Sequence, residues 1–157
     1  GNVVDLLFQT TKLRQAEQTQ ALDSHALTLI YFRSGGQITA LEPFIEHVDI
    51  YYAPRDADLR LRVFRMGSES LTSKTLKGAN QDQLQKSLDA APEDLKARFL
   101  ADYRRAATGE FVYSIETLNA AAADHAERVR LDYLRLLVQF HSDQHGPLIV
   151  NLSEFLR

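Results

Sequence analysis

Residues Phe111–Phe140 read FVYSIETLNAAAADHAERVRLDYLRLLVQF, and the fold predicted for the whole chain rests on this stretch. Its apolar side chains recur at steps of three or four residues, at Ile115, Leu118, Ala122, Ala126, Val129, Tyr133, Leu136 and Phe140. That spacing is close to the helical period, so we expect one long amphipathic helix over residues 111–141. A stripe this narrow and long is typical of a helix that packs against another long helix rather than one that lines a reaction cleft.

Shorter elements are predicted around this helix. Two strands separated by the turn-forming residues 54–58 make a β-hairpin, and Gly35-Gly36 ends the first helical region. Pro92 followed by Glu93 and Asp94 is a strong helix start. In chain order the expected elements are a long helix over 3–34, a central helix and hairpin over 37–66, a loop over 68–80, helices over 81–108, the long helix over 111–141, and a strand over 148–152.

The expected fold is therefore mainly α. Residues 1–157 suffice for one domain with its own core. We expect long amphipathic helices packed as a bundle or stalk, in the manner of a coiled coil, with a small β-hairpin between them.

Composition excludes several classes of function. A net charge of −3 and a pI near 5.9 leave no basic excess for binding nucleic acid. The chain has no cysteine, so disulfides and thiolate chemistry are excluded. The longest dense apolar run, 26–32, is far shorter than the roughly 20 residues of a membrane span. Gly1 stands where an initiator Met would, so we expect a processed product or an excised fragment.

Four arginines lie in or beside the predicted hairpin. Along 59–64, Leu59, Leu61 and Val63 alternate with Arg60, Arg62 and Phe64, so one face of that strand is largely basic. The arginine strip, Arg55, Arg60, Arg62 and Arg65, is a candidate site for an anionic partner. The alternative interpretation is the solvated face of an edge strand, where charge blocks pairing with other chains.

Two histidines near the end of the long helix are candidate metal ligands. His141 and His145 are four residues apart and would share a helical face, with Asp143 between them. The alternative is that they are polar residues at a fraying helix end, and we expect no bound metal. A second group, Glu42, Glu46, His47 and Asp49, is interpreted as a solvated helix face.

No nucleophile-elbow, phosphate-loop or dinucleotide-binding pattern occurs in the chain, so no cofactor is expected and the protein is predicted not to be an enzyme.

Part of the chain resembles a known family. Residues 109–120, GEFVYSIETLNA, running on to Arg130–Leu134, RLDYL, resemble the last long helix of TolC-like outer membrane efflux proteins. The preceding Tyr103-Arg104-Arg105 also fits, so the match covers residues 101–134, and residues 1–7 match at fewer positions. The resemblance implies a helical scaffold of the bacterial cell envelope, in the periplasm, with a role in transport.

The first hypothesis for function is therefore a non-enzymatic scaffold that binds a protein partner, or a second copy of itself, through its long helices. The alternative is an extracytoplasmic sensory or regulatory domain, which would hold a ligand in a pocket lined by Tyr51, Tyr52, Phe64 and the arginines. An enzyme of unrecognised class comes third.

Overall fold

The structure is a computed structural model that describes residues 13–16, 18, 21–76, 80–121 and 128–156. Side chains are described within those ranges except at 118–121, 128, 129 and 131.

One antiparallel sheet organises the fold. Its strands are β1 (Asp49–Tyr52), β2 (Val63–Met66), β3 (Val112–Ala121), β4 (Arg128–Ser142) and β5 (Gly146–Phe155), in the order β2-β1-β5-β4-β3. The last strand in the chain, β5, thus lies at the centre and pairs with both β1 and β4. A tight turn at 143–145 joins β4 to β5, and Gly146 follows it with a φ of 73°, a value that favours glycine.

Helices cover both faces of the sheet. They are α1 (Ser24–Ser34), a 3-10 helix (Ile38–His47), α2 (Leu71–Thr75), α3 (Gln81–Asp89) and α4 (Glu93–Ala107). The Asp23 carboxylate caps α1 by accepting the Ala26 N–H at 2.7 Å, and Gly35 ends it in the left-handed conformation. Asn80 and Gln83 form a reciprocal capping box at the start of α3.

One face of the sheet, which we call the N-terminal face, packs against α1 and the 3-10 helix. Leu27 from α1 and Leu41 from the 3-10 helix are completely buried on it. The buried apolar residues that the strands supply to this face are Ile50, Leu136, Val138, Phe140, Leu148, Val150 and Leu152.

The opposite face, which we call the cavity face, packs against α3 and α4. Leu84 from α3 and Leu100, Tyr103 and Ala106 from α4 are buried there. The buried apolar residues that the strands supply are Tyr51, Val63, Val112, Leu137 and Ile149. Successive residues of β4 and β5 alternate between the two faces, as the pleat of a strand requires.

The prediction of a mainly α protein is wrong. The sheet has five strands, and the structure is neither a helical bundle nor a coiled coil. The predicted long helix over 111–141 is instead the hairpin of β3 and β4, with Val112 opposite Leu137 and Ala121 opposite Arg128. In the predicted helical stripe, Ile115 is 68% exposed whereas Leu136 and Phe140 are buried. Ala122 and Ala126, and the side chains of Leu118 and Val129, lie outside the description.

The error has a physical cause. The inner part of β4 is covered on both faces, so consecutive residues such as Leu136, Leu137 and Val138 are all buried. Burial on both faces removes the polar–apolar alternation that identifies a strand, and an apolar run of this kind is indistinguishable from a helix by periodicity alone. The alanines at 120–123 strengthened the helical interpretation because Ala has the highest helix propensity.

Several local predictions are confirmed. The helices expected within 81–108 are α3 and α4, and β1 pairs with β2 as predicted. The strand expected over 148–152 is the middle of β5. The predicted loop over 68–80 contains α2, and of the predicted helix over 3–34 the description holds helical residues at 13–16, at 18 and in α1.

Candidate functional site

A cleft of about 160 Å³ lies between the cavity face and helices α2, α3 and α4. The sheet forms its floor and the helices its walls. The floor residues are Tyr51, Tyr133, Arg135, Asn151 and Ser153, and the walls are Leu61, Leu71, Thr72, Thr75, Leu76, Leu84, Leu88, Phe99 and Tyr103. The walls are thus mainly aliphatic and aromatic, whereas most of the polar groups are on the floor.

A chain of side-chain hydrogen bonds runs across this floor. Ser153 Oγ donates to Asn151 Oδ1 at 2.9 Å, and Asn151 Nδ2 donates to Tyr103 Oη at 2.8 Å. The ring of Tyr51 packs edge-on against that of Tyr103, with 4.9 Å between the ring centres. These contacts fix the position of the Tyr103 hydroxyl, which therefore presents a defined polar group to the cleft.

The phenols that line the cleft keep their protons at neutral pH. Burial raises the pKa of Tyr103 to about 12, although the nearby Arg135 charge works in the opposite direction. Burial also raises the pKa of Tyr51 well above its usual value, and the pKa of Tyr133 is raised for the same reason. All three hydroxyls are therefore hydrogen-bond donors over the physiological pH range.

Arg135 is the one charged residue among the described residues that line the cleft, and its side chain is only 3% exposed. Its Nη2 donates to the Asp102 carboxylate and forms an ion pair with Glu116, whose Oε1 lies 3.2 Å away. Burial by itself would lower the pKa of this guanidinium. The electrostatic interactions with Tyr103, Glu116 and Asp102 are together larger, so the pKa is raised. Its Nε, also buried, has no hydrogen-bond partner among the described residues.

A wider ionic network surrounds Arg135. Arg98 lies 3.9 Å from Glu116, and Arg105 lies 3.8 Å from Asp102 and 2.6 Å from Glu110. The network thus contains three guanidinium groups and three carboxylates. Its net charge is zero, so the positive charge of Arg135 is already neutralised by protein groups.

Asp49 is buried at the edge of the cavity face with 2% of its surface exposed, so the interpretation of this residue as part of a solvated helix face is wrong. Its Oδ1 accepts the Gly67 N–H at 3.1 Å, and burial raises the pKa of its carboxyl group. A Cβ atom at Gly67 would lie 2.4 Å from the backbone oxygens of Glu46 and Val48, so only glycine fits beside this carboxylate.

A second cleft, of about 230 Å³, is larger but less suited to an organic ligand. It lies at one end of the sheet and is lined in part by His47, Glu69, Lys74 and Glu154. Glu69 and Lys74 are exposed. A groove with charged, solvated walls offers little apolar surface to exchange for water, so we take the 160 Å³ cleft as the candidate site.

The predicted arginine strip does not line this cleft. Arg60 pairs with Asp89 at 2.9 Å, Arg65 pairs with Glu46 at 2.7 Å, and Arg55 lies 3.9 Å from Asp58. Arg62 stacks over the Tyr52 ring, 4.7 Å from its centre. Each arginine thus has a partner within the chain, and the binding of an anionic partner by this strip stays a prediction.

His141, Asp143 and His145 lie on the β4–β5 hairpin, not on a helix. The helical spacing that suggested a metal site is therefore absent, and the His145 ring packs against Phe64 with 4.8 Å between ring centres. Across the described ranges, no group of three or more His, Cys, Asp or Glu side chains is arranged to hold a metal ion.

Sequence reasoning identified one residue that lines the cleft and missed most of the others. Tyr51 was expected to line a pocket and does. Tyr52 and Phe64 were expected beside it, but they pack toward the N-terminal face. Arg135 and Asn151 were missed, although each is a polar residue within an apolar run, LRLLV and LIVNL. Such an interruption of a buried strand is the signal that could have found them.

Comparison with protein families, curated proteins and solved structures found no match to this chain. The resemblance to TolC-like proteins and the location in the cell envelope therefore stay predictions from the sequence. Within the part of the chain that the structure describes, no helix is both long and apolar enough to cross a membrane, in agreement with the sequence.

Proposed function

We propose that this domain binds a small organic molecule in the 160 Å³ cleft and acts as a sensory or regulatory ligand-binding domain. The observation that carries the proposal is the cleft itself, because mainly apolar walls meet a polar floor that includes a buried, incompletely bonded Arg135. Ligand sites in proteins typically combine apolar walls with a few well-placed polar groups.

The volume of the cleft limits the size of the ligand. An engineered protein cavity of about 150 Å³ holds one benzene molecule. A cleft of about 160 Å³ is therefore suited to a single ring or a short branched chain, on the order of six to ten non-hydrogen atoms. Cofactors such as nucleotides are too large for it.

Binding without catalysis suits the chemistry of the lining residues. General acid–base catalysis at neutral pH needs a group whose pKa lies near 7. Among the described residues that line the cleft there is no His, Cys, Asp or Glu, and burial moves the pKa of the lining phenols away from 7 rather than toward it. We therefore favour a binding domain over an enzyme.

The hypothesis that a long helix over 111–141 binds a partner is wrong, because β3 and β4 lie in that segment. That the chain binds a protein partner or a second copy of itself stays a prediction. A regulatory domain would need such a partner to pass on the signal of ligand binding.

The proposal is tested by screening compounds of six to ten non-hydrogen atoms for chemical-shift changes in two-dimensional amide NMR spectra. Replacing Thr75→Trp should abolish binding, because the indole fills the cleft from α2, where Thr75 bonds only within its own helix. The matched control is Lys74→Trp, on the same helix but facing the second cleft. Binding that survives Thr75→Trp, or is lost only in Lys74→Trp, would contradict the choice of site.

A further inference from the structure

The two outer edges of the sheet differ in length and in protection against other strands. One edge is β2, which has only four residues, Val63–Met66. Its pairing with β1 has an irregular register between Ile50 and Tyr51. Arg62 and Arg65 place positive charge beside and within the strand. Shortness, irregular pairing and charge keep a sheet edge from pairing with another chain, so the β2 edge is protected.

The other edge, β3, lacks this protection. It has ten residues, Val112–Ala121, which pair with β4 in continuous register and include no proline, lysine or arginine. Its one charged residue is Glu116, whose carboxylate lies 3.2 Å from Arg135 and 3.9 Å from Arg98 within the same chain. In the described ranges only β4 pairs with β3, so the backbone groups on its outer side can bond to a further strand.

An apolar patch borders this edge on the N-terminal face. Phe32 of α1 stacks on Phe111, with 5.7 Å between the ring centres. Tyr113 and Ile115 continue the same side of the strand, because every second residue of a strand points the same way. We call these four residues the edge patch, and in it Phe32, Tyr113 and Ile115 are 68%, 53% and 68% exposed. The Tyr113 hydroxyl is hydrogen-bonded to Ser24 Oγ at 2.8 Å, so its ring can be covered without leaving that hydroxyl unpaired.

We propose that two copies of this chain pair through their β3 strands, antiparallel and about a twofold axis, so that two five-stranded sheets become one. An axis perpendicular to the sheet sets the edge patch of one copy beside the same patch of the other, and each patch covers its counterpart. Glu116 does not oppose the pairing, because guanidinium groups of its own chain neutralise it. An apolar edge without net charge thus fits a second copy of itself.

The exposed area predicts how stable this dimer is. Phe32, Tyr113 and Ile115 together leave on the order of 300 Å² of mainly apolar surface uncovered in each copy. A standard protein interface buries about 800 Å² per partner, and weak, transient interfaces bury less. The edge patch and the backbone of β3 together belong to the smaller class, so we expect a dissociation constant in the micromolar range.

Charge and length select the register of the two strands. Glu116 cannot lie at the axis, because two carboxylates would then be directly opposite each other. An axis at Ile115 sets the two Ile115 side chains opposite each other, with the partner's Tyr113 at the diagonal position, which aromatic side chains can reach. Glu116 then lies opposite the partner's Ser114, and residues 112–118 of both copies are paired.

Analytical ultracentrifugation of the full chain tests the pairing. The wild-type mass should rise from that of a monomer toward that of a dimer between micromolar and millimolar concentration. Ile115→Lys should raise the dissociation constant at least about tenfold, because it removes apolar contact and sets like charges opposite each other. The matched control is Leu59→Lys, which replaces an 86% exposed leucine outside the edge patch and should change nothing.

A wild-type chain that stays monomeric at millimolar concentration would overturn the proposal, whether residues 1–12 of the same chain or a different protein cover the edge patch. Equal weakening by Ile115→Lys and Leu59→Lys would overturn it too, because the copies would then associate through another surface.

Single cysteines test the register. The chain has no cysteine, so one introduced thiol can form a disulfide only between copies. Directly opposite residues of an antiparallel pair have Cα atoms about 4.5–5.5 Å apart, which suits a disulfide. Ile115→Cys should therefore cross-link on mild oxidation much faster than Thr117→Cys or the surface control Leu59→Cys. Ile115→Cys no faster than Leu59→Cys would overturn the pairing, and Thr117→Cys faster than Ile115→Cys would overturn the register.

Discussion

The two faces of the sheet are built from the same strands but have opposite chemistry. On the N-terminal face the central strands contribute mainly apolar side chains, which close onto α1 and the 3-10 helix, and Glu154 near the end of β5 accepts the Ser24 N–H at the start of α1. On the cavity face the same strands also contribute Arg135, Asn151 and Ser153, which leave a cleft below the helices. In β5 the alternation is direct, because Val150 and Leu152 face one way while Asn151 and Ser153 face the other.

The difference shows how a small domain can support an incompletely packed site. Burying apolar area contributes about 25 cal/mol per Å², so the N-terminal face supplies much of the free energy of folding. The cavity face contains a buried charge, an unpaired donor and a cleft, all of which lower stability. We infer that one face stabilises the sheet and that the other can therefore be used for binding.

The largest expected effect tests the N-terminal face. Phe140→Ala should lower the free energy of unfolding by about 3–5 kcal/mol, because Phe140 is 1% exposed and its removal leaves a cavity. Urea denaturation would measure the loss. The neighbouring, exposed His141→Ala serves as control and should change stability by less than about 0.5 kcal/mol. If Phe140→Ala lowered the free energy of unfolding by less than the variants of the cavity face do, the distinction between the two faces would be contradicted.

A smaller effect tests the ionic network of the cavity face. Arg135→Met should cost about 2–4 kcal/mol at pH 7, below the full range for a buried pair because Asp102 and Glu116 are partly exposed. The control is Arg98→Met, whose exposed side chain lies 3.9 Å from Glu116 and should contribute less than about 1 kcal/mol. A loss in Arg135→Met no larger than the loss in Arg98→Met would show that the ion pairs of Arg135 do not stabilise the cavity face.

The smallest expected effect is on how the free energy of unfolding varies with pH, and it arises from Asp49. Because burial raises its pKa in the folded state, the folded protein binds the proton more tightly than the unfolded chain does. Stability should therefore fall as pH rises from the ordinary value of 3.8 toward the raised pKa. This contribution is isolated by subtracting the free energy of unfolding of Asp49→Asn from that of the wild type at each pH, because the amide oxygen of Asn keeps the hydrogen bond from the Gly67 N–H. A difference that grows with rising pH would contradict the assignment.

The elements that the sequence predicted correctly are those with local signals. The β1–β2 hairpin follows from two β-rich runs around Pro54, and α4 follows from Pro92 and the acidic residues after it. Gly35 ended α1 as expected. These signals work because the backbone preferences of proline and glycine act over a few residues.

The order of the strands and the site depend on contacts between distant residues. The polar–apolar alternation of a strand is absent at Leu136, Leu137 and Val138 because both sides of β4 are covered. No local pattern reveals that cover. Likewise Tyr103, Arg135 and Asn151 meet in the cleft although each lies on a different element. The sequence indicated their chemistry individually but not their proximity, since the β5 strand that brings them together pairs with partners on both sides.

The central position of β5 has a consequence for the kinetics of folding. The β1–β2, β3–β4 and β4–β5 hairpins join neighbouring parts of the chain, but β1 meets β5 across about 100 residues, from Asp49 to Asn151. Ordering the intervening chain costs entropy before the contacts between β1 and β5 can lower the free energy. The hairpins can therefore form early, while the pairing of β1 with β5 comes late. The same strand completes both cores, and the two faces should therefore become stable in a single rate-limiting step.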